Sequence, residues 1–278
     1  RHGGDSAYRE RLLTGVLYPI RDQVLDMAQL QPGDTLLDVG AGDGLIALSA
    51  LDRVGPSGHV IFSDISQDLL DRCQEAVAAE GAADRCSFVR ASADALTGIA
   101  DASVDVVTTR SVLIYVKDKA AAFREFSRVL RPGGRVSLFE PINRLMRHLD
   151  PHRFLGYNTS SVAEMVRKIR VAVESLQPSD TDPMLDFDER DLLRHAEDAG
   201  FPEVRVELQL SVKADREPLP WETLLRMSGN PKQPPLGEVL REVLTEGELA
   251  AFTTALKPVV ESGNGQERSA YAYLTAIK

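Results

Sequence analysis

A glycine-rich turn directly follows the first apolar run of the chain and carries the most distinctive chemistry in the sequence. Asp38 precedes three glycines at positions 40, 42 and 44, and a helical pattern begins after them at Leu45. Glycine permits a sharp turn and lets a ligand lie against bare backbone at a helix N-terminus. A dinucleotide-binding turn would require glycine at position 45 as well. The pattern therefore favours a ligand without a pyrophosphate, with a cationic centre and an amino-acid end that suit Asp38.

Short apolar runs alternate with helical patterns through the middle of the chain, which is typical of an α/β layered fold. The runs cover residues 35–39, 59–63, 86–90, 104–109 and 135–140. Residues 66–81 and 118–130 have the apolar spacing of helices, and residues 131–134 are expected to form a breaking turn. We expect five parallel strands in a doubly wound sheet, with ligand groups at the carboxyl ends of the strands.

A different pattern follows in the C-terminal part. Asp188 is placed to cap a helix that Gly200 ends. Residues 204–212 then alternate apolar and polar side chains, and residues 268–277 form another β-like run. Two consecutive strands joined by a long excursion indicate an antiparallel edge pair. The predicted fold class is α/β, with a doubly wound, Rossmann-like, mostly parallel seven-stranded sheet, an antiparallel C-terminal edge pair and a helical cap.

The cap is predicted from three segments that do not fit the sheet, residues 1–28, 141–176 and 215–262. Two capping boxes, Ser161 with Glu164 and Thr245 with Glu248, predict helix starts within the last two segments. We interpret all three as insertions around a cofactor-binding core of residues 35–140. The prediction is a single domain that spans residues 1–278.

Composition limits the classes of function. The chain has 278 residues and a net charge of −10, which repels the phosphates of nucleic acid. No run approaches the roughly 20 apolar residues of a membrane span. Cys73 and Cys86 occur without a metal-type cluster, so neither a disulfide scaffold nor a bound metal is expected. We expect a cytoplasmic monomer or homodimer that binds neither nucleic acid nor a membrane.

Further polar residues lie at or just after the ends of the predicted strands. Asp64 ends the second run, Asp94 follows the third, and Arg110 follows the fourth. Together with the glycine turn and the Arg-Pro-Gly-Gly sequence, these make residues 35–140 resemble the class I S-adenosylmethionine-dependent methyltransferases. The resemblance is to the small-molecule type that includes the ubiquinone/menaquinone biosynthesis enzymes.

The resemblance implies S-adenosyl-L-methionine as cofactor and S-adenosyl-L-homocysteine as product. In the family, the acid at the position of Asp64 accepts both ribose hydroxyls, apolar residues pack on the adenine, and the acid at the position of Asp94 accepts from its exocyclic amine. A backbone carbonyl after the fourth strand often meets the methionine ammonium. The implied cofactor-binding residues are Asp38, Gly40, Ala41, Gly42, Asp64, Ile65, Leu69, Ala93, Asp94, Ala95 and Arg110.

Candidates for catalysis lie outside this set. Methyl transfer needs a general base only where the acceptor atom enters protonated. His148 and His152 follow the fifth strand and are candidate bases, or else surface or pocket-lining residues. Tyr115 follows the fourth strand and either lines an acceptor pocket or closes the core. Glu140 ends the fifth strand and either faces the pocket or caps the next segment.

The favoured function is methyl transfer to an O, N or C atom of a small organic acceptor under a helical lid. Methylation of a protein or RNA would favour an open basic groove, and the acidic balance argues against it. A non-methylating member of the fold, which binds the cofactor without turnover, stays open as an alternative. A nicotinamide dehydrogenase is disfavoured by Leu45.

Overall fold

The structure is a computed structural model that describes residues 10, 13–148, 152–214, 217–228 and 233–278. Its contacts divide the chain into two compact units. The first contains residues 1–141, 189–208 and 271–278, and the second contains residues 142–188 and 209–270. Among the described residues, no helix is both long and apolar enough to cross a membrane.

The first unit contains most of a seven-stranded sheet with the order β3-β2-β1-β4-β5-β9-β8, and residues 209–214 of β8 and 266–270 of β9 are assigned to the second unit. The first five strands are parallel, and β9 runs antiparallel to β5. This confirms the predicted mostly parallel sheet with an antiparallel edge pair. The strands are β1 (Thr35–Val39), β2 (His59–Asp64), β3 (Cys86–Arg90), β4 (Val104–Arg110), β5 (Leu130–Pro141), β8 (Glu203–Ala214) and β9 (Gln266–Ile277).

The helices of the first unit lie before or between its strands in the chain. They are α1 (Tyr18–Met27), α2 (Leu45–Val54), α3 (Gln67–Ala79), α4 (Lys119–Val129) and α7 (Glu189–Asp198). Asp118 caps α4 by accepting a hydrogen bond from the amide of Ala121 at 2.8 Å. Apolar faces of α1, α2 and α3 share one buried cluster with alternate residues of the sheet, among them Val24, Ala47 and Phe62.

The second unit is mainly helical. Its elements are α5 (Asn143–His148), α6 (Ala163–Leu176), α8 (Trp221–Arg226), α9 (Leu236–Val243), α10 (Glu246–Glu261), and a ribbon of β6 (Arg153–Phe154) with β7 (Tyr157–Asn158). A separate core of buried side chains holds it together, including Tyr157, Ile169, Trp221, Leu240 and Phe252. The unit therefore has the large apolar core expected of a self-contained body.

The structure differs from the sequence-based expectation at two local positions. Residues 131–134 lie within β5 as a bulge, since β4 pairs with Leu130 and next with Arg135, and Gly133 and Gly134 exchange backbone hydrogen bonds with Lys278 at 2.7 and 2.8 Å. The Ser161 box is wrong, since a 3₁₀ turn (Ser160–Val162) precedes α6 and no side chain caps that helix. The box at Thr245 is confirmed at the start of α10.

The predicted cap segments fall in different units. The described helix of the first segment, α1, packs against α2 and β5 in the first unit, with Ile20, Val24 and Leu25 buried. Residues 142–176 and 217–262 contribute described elements to the second unit. The function of these segments as a cap stays a prediction.

Candidate functional site

The glycine turn after β1 is held by the carboxylate of Asp64, the last residue of β2. Asp64 is 8% exposed, and its Oδ2 accepts from the amide of Gly42 at 2.9 Å. Its Oδ1 accepts from the amide of Ser66 at 2.9 Å. The amide of Ala41 donates to the carbonyl of Ser63 at 2.9 Å. The ends of β1 and β2 are therefore tied together by the turn that the sequence singled out.

The backbone of the turn also takes a shape that favours glycine. Gly40, Gly42 and Gly44 have φ angles of +68°, +59° and +84°. A Cβ added to Gly42 would find only the Gly40 carbonyl oxygen within 4 Å, at 3.9 Å. The space beside Gly42 is thus open to a ligand, and the left-handed backbone rather than crowding requires glycine there.

Asp38 lies beneath this turn and is 2% exposed. Its Oδ1 accepts from the hydroxyl of Thr108 on β4 at 2.9 Å. Burial raises the pKa of Asp38 to about 7, although the Thr108 hydrogen bond and the charge of Arg110 oppose that shift. Thr108 was missed by the sequence analysis, because only the register of β1 with β4 shows that it lies beside Asp38.

The ends of β2 and β3 bring the predicted adenine-contacting residues near Asp64. The amide of Ala91 donates to the carbonyl of Asp64 at 3.1 Å, so the loop that contains Ala93, Asp94 and Ala95 starts beside β2. The hydroxyl of Ser92 donates to Asp94. Ile65 is 68% exposed, which is unusual for so apolar a side chain. Leu69, on the first turn of α3, is half-buried.

Two buried hydroxyls flank the last residue of β1. Ser63 on β2 and Thr109 on β4 are both paired in register with Val39 and are 0% exposed. Within the described part of the chain, neither hydroxyl has a hydrogen-bond partner. Buried polar groups without partners are rare and often mark a site for water or a ligand.

Arg110, the last residue of β4, is half-buried and acts electrostatically on Asp38. Glu140, at the end of β5, accepts hydrogen bonds from three consecutive amides of the loop after β4. The sequence left open whether Glu140 faces the pocket or caps the next segment. The structure shows that it holds the segment after β4.

The three catalytic candidates are divided between the two units. Tyr115 is 55% exposed in the first unit. His152 is exposed in the second unit, and its carbonyl accepts from the amide of Thr159 at 2.9 Å. The side chain of His148 lies outside the part that the structure describes. No group of side chains suited to a metal ion occurs among the described residues.

Comparison with known proteins finds the same fold and matches the segment of the chain that contains this site. Residues 37–138 match the methyltransferase domain family model. The chain is 34% identical over 159 residues to the ubiquinone/menaquinone biosynthesis C-methyltransferase UbiE of Hahella chejuensis, a match that covers 55% of this chain and 64% of that protein. Matches to the first curated relatives span between 29% and 64% of those proteins.

Solved structures extend the likeness in fold over most of the chain. The YcgJ protein of Bacillus subtilis has a TM-score of 0.56 at 15% identity, and the match covers 94% of this chain and 98% of that one. Phosphoethanolamine N-methyltransferase 2 of Haemonchus contortus, solved with S-adenosyl-L-methionine, has a TM-score of 0.51 at 18% identity, with 92% and 52% covered.

The parallel sheet, the glycine turn and the acid at the end of β2 define an α/β protein of the kind whose ligands bind at the carboxyl edge of the sheet. Residues 37–138 match the methyltransferase domain family, and the chain resembles the class I S-adenosylmethionine-dependent methyltransferases, among them UbiE.

The raised pKa of Asp38 predicts a pH-dependent stability. A folded pKa of about 7, above the usual 3.8, gives stability that is present at low pH and is lost as the pH rises to about 7. Asp38→Asn does not titrate, so the unfolding free energy of the unsubstituted protein relative to this variant should fall by about 2 kcal/mol between about pH 5 and pH 8. Urea denaturation at each pH measures the difference.

Asp105→Asn is the matched control for this measurement. Burial opposes ionisation of Asp105, but hydrogen bonds from Arg131 and from the amide of Thr35 outweigh it and lower the pKa of Asp105. Its stabilisation is therefore lost only in strong acid, and the difference for this variant should stay constant from about pH 5 to pH 8. A constant difference for Asp38→Asn as well would contradict the raised pKa.

Proposed function

We propose that this chain binds S-adenosylmethionine at the carboxyl ends of β1 to β4 and transfers the methyl group to a small organic acceptor. The main support is the buried carboxylate of Asp64, which is tied to the amides of Gly42 and Ser66. A carboxylate has about four lone-pair sites, so two amide bonds leave two for the ribose hydroxyls. Such charge-assisted bonds are the stronger kind and would orient the sugar.

Other residues at this edge fit the remaining parts of the cofactor. The exposed Ile65, with Leu69, offers an apolar surface for the adenine, and Asp94 offers an acceptor for its amine. The open space beside Gly42 suits the methionine part, with Gly40 and Ala41 in the same turn, the carboxylate of Asp38 before it and Arg110 at the end of β4. The unpartnered hydroxyls of Ser63 and Thr109 supply further polar groups at the same edge.

Methyl transfer requires mainly that the acceptor atom be aligned with the methyl carbon. S-adenosylmethionine supplies a methyl group on a sulfonium, whose leaving group is a neutral thioether. The protein therefore contributes chiefly by holding the acceptor atom in line with the methyl carbon, an effect worth up to about 7–11 kcal/mol. For an acceptor that enters protonated, we propose His148 or His152 as the base, with Tyr115 lining the acceptor site.

We propose that the second unit supplies the helical lid over the acceptor. Its first segment begins at Ile142, directly after the carboxyl end of β5. Ordered excursions of this length are usually functional. The acidic balance of the chain, at −10, favours a small molecule over RNA as the acceptor.

The cofactor assignment predicts a specific loss of affinity in Asp64→Ala. Removal of the carboxylate should weaken binding of S-adenosylhomocysteine by roughly 10- to 150-fold, the equivalent of 1.5–3 kcal/mol for hydrogen bonds to a charged group. Titration calorimetry measures the affinity. Asp71→Ala is the control, since Asp71 is an exposed acid of α3 that accepts from Gln67 at 2.8 Å. Equal affinity in both variants, or binding of NAD instead, would contradict the assignment of Asp64 to S-adenosylmethionine.

If the second unit is a lid, amide hydrogen exchange should slow in that unit when cofactor and acceptor bind. We expect slower exchange in residues 142–188 and 217–262, because amides exchange through local opening and a lid closed on its ligand opens less often. The central strands β1 and β4 should change little, since their amides are already protected within the sheet. Mass spectrometry of peptide fragments measures both regions. Protection confined to the sheet would argue against a lid.

The methyl transfer itself is tested with a panel of metabolites and S-adenosylmethionine. Mass spectrometry should find one product heavier by one CH₂ group, with an equal amount of S-adenosylhomocysteine. If the acceptor is a phenol or alcohol, His148→Ala or His152→Ala should lower turnover by roughly 10²–10⁴. If it is an amine or a carbon nucleophile, both variants should remain active. Cofactor binding without turnover across the panel would favour the non-methylating alternative.

A further inference from the structure

The loop after β4 leaves the sheet through a conformation that needs an anchor. Ser111 has a φ of +57°, in the left-handed region that non-glycine residues seldom occupy. Its amide donates to the carbonyl of Phe139 at 2.9 Å. A short 3₁₀ turn, Leu113–Tyr115, follows at once. The first amides of such a turn have no partner within it, so something outside the turn has to accept from them.

Glu140 is that acceptor. Its Oε1 accepts from the amides of Val112 and Leu113, both at 2.9 Å, and its Oε2 accepts from the amide of Ile114 at 3.2 Å. The side chain is 0% exposed. Burial raises the pKa of Glu140 to about 7, while the three amides and the charge of Lys119 favour the ionised form. A buried carboxylate with all these donors is engaged on the loop and has no access to an acceptor molecule.

The anchored loop in turn contacts the glycine turn. A Cβ added to Gly40 would lie 2.3 Å from Cγ2 of Val112 and 3.3 Å from its Cγ1. The Val112 side chain therefore packs directly on the bare backbone of Gly40. Because the amide of Val112 is bonded to Glu140, the carboxylate fixes the position of this side chain.

We infer that Glu140 is a positioning residue for the cofactor site, which acts by holding the loop of residues 111–115 so that Val112 packs against Gly40. The inference rests on the proposed function, since it assigns Glu140 to the same cofactor. Even glutamine, which has the same shape, would not replace Glu140 in holding the three amides. An amide can accept from Val112 and Leu113 through its oxygen, but its NH₂ group would face the amide of Ile114, donor against donor.

Glu140→Gln is the direct test, with Asp105→Asn as the matched control. Asp105 is also a shielded carboxylate that accepts from a backbone amide, that of Thr35 at 2.8 Å, but it lies at the amino end of β4. Both variants should lower the melting temperature. Glu140→Gln alone should weaken binding of S-adenosylhomocysteine by about tenfold or more, a factor equivalent to 1.4 kcal/mol, and should speed amide exchange in residues 112–116.

Affinity measured over a range of pH separates the positioning role from a general loss of stability. The protonated carboxyl group resembles the amide, so the affinity ratio between the unsubstituted protein and Glu140→Gln should shrink as the pH falls from about 8 to about 6. Lys119 is the charged group that acts on Glu140. Asp38 titrates equally in both proteins and cancels in the ratio.

Val112→Ala keeps the inference testable if Glu140→Gln fails to fold. It leaves the three amide bonds to Glu140 intact and removes only the methyl groups that pack on Gly40, so affinity should still fall several-fold. Wild-type affinity in Glu140→Gln, or in Val112→Ala where the former does not fold, would overturn the positioning role. Failure of the unsubstituted protein to bind S-adenosylhomocysteine would instead overturn the proposed function, and with it the assignment of Glu140.

Discussion

Buried carboxylates hold the backbone amides at the carboxyl edge of the parallel sheet, and the geometry of the site depends on this pairing. A glycine turn has no side chains with which to anchor itself, so its N–H groups are its main polar attachments. Asp64 bonds the amide of Gly42, and Glu140 bonds the amides after β4. The two loops meet where Val112 lies on Gly40. Both carboxylates therefore act on the same glycine turn.

These carboxylates lie where a parallel sheet places them. All strand ends from β1 to β5 face one edge, so acids at the ends of β2 and β5 and near the end of β1 converge there. Their burial is costly, as the pKa values of about 7 for Asp38 and Glu140 show. Hydrogen bonds from Thr108 and from the loop amides offset part of that cost. The site thus combines fixed backbone with groups poised to change charge near neutral pH.

Much of the fold follows from local patterns. The periods of apolar residues predict β1 to β5 and the helices between them within a few residues, because strands and helices impose different spacings on the same buried face. Local sequence patterns predict the structure less well where a segment pairs with residues far away in the chain. Gly133 and Gly134 read as a turn, yet they pair with Lys278 at the other end of the chain. The Ser161 box is replaced by a 3₁₀ turn, whereas the Thr245 box forms as expected.

The sequence by itself determined the order of strands and helices, the glycine turn and the position of Asp64 at a strand end, since these depend on residues close in the chain. Tertiary structure alone decided which partners the polar groups find. Thr108 lies beside Asp38 although 70 residues separate them, and Glu140 reaches amides about 27 residues earlier. Such pairs depend on the register and order of the sheet, and a side chain's partner across strands cannot be read from its own neighbours in the chain.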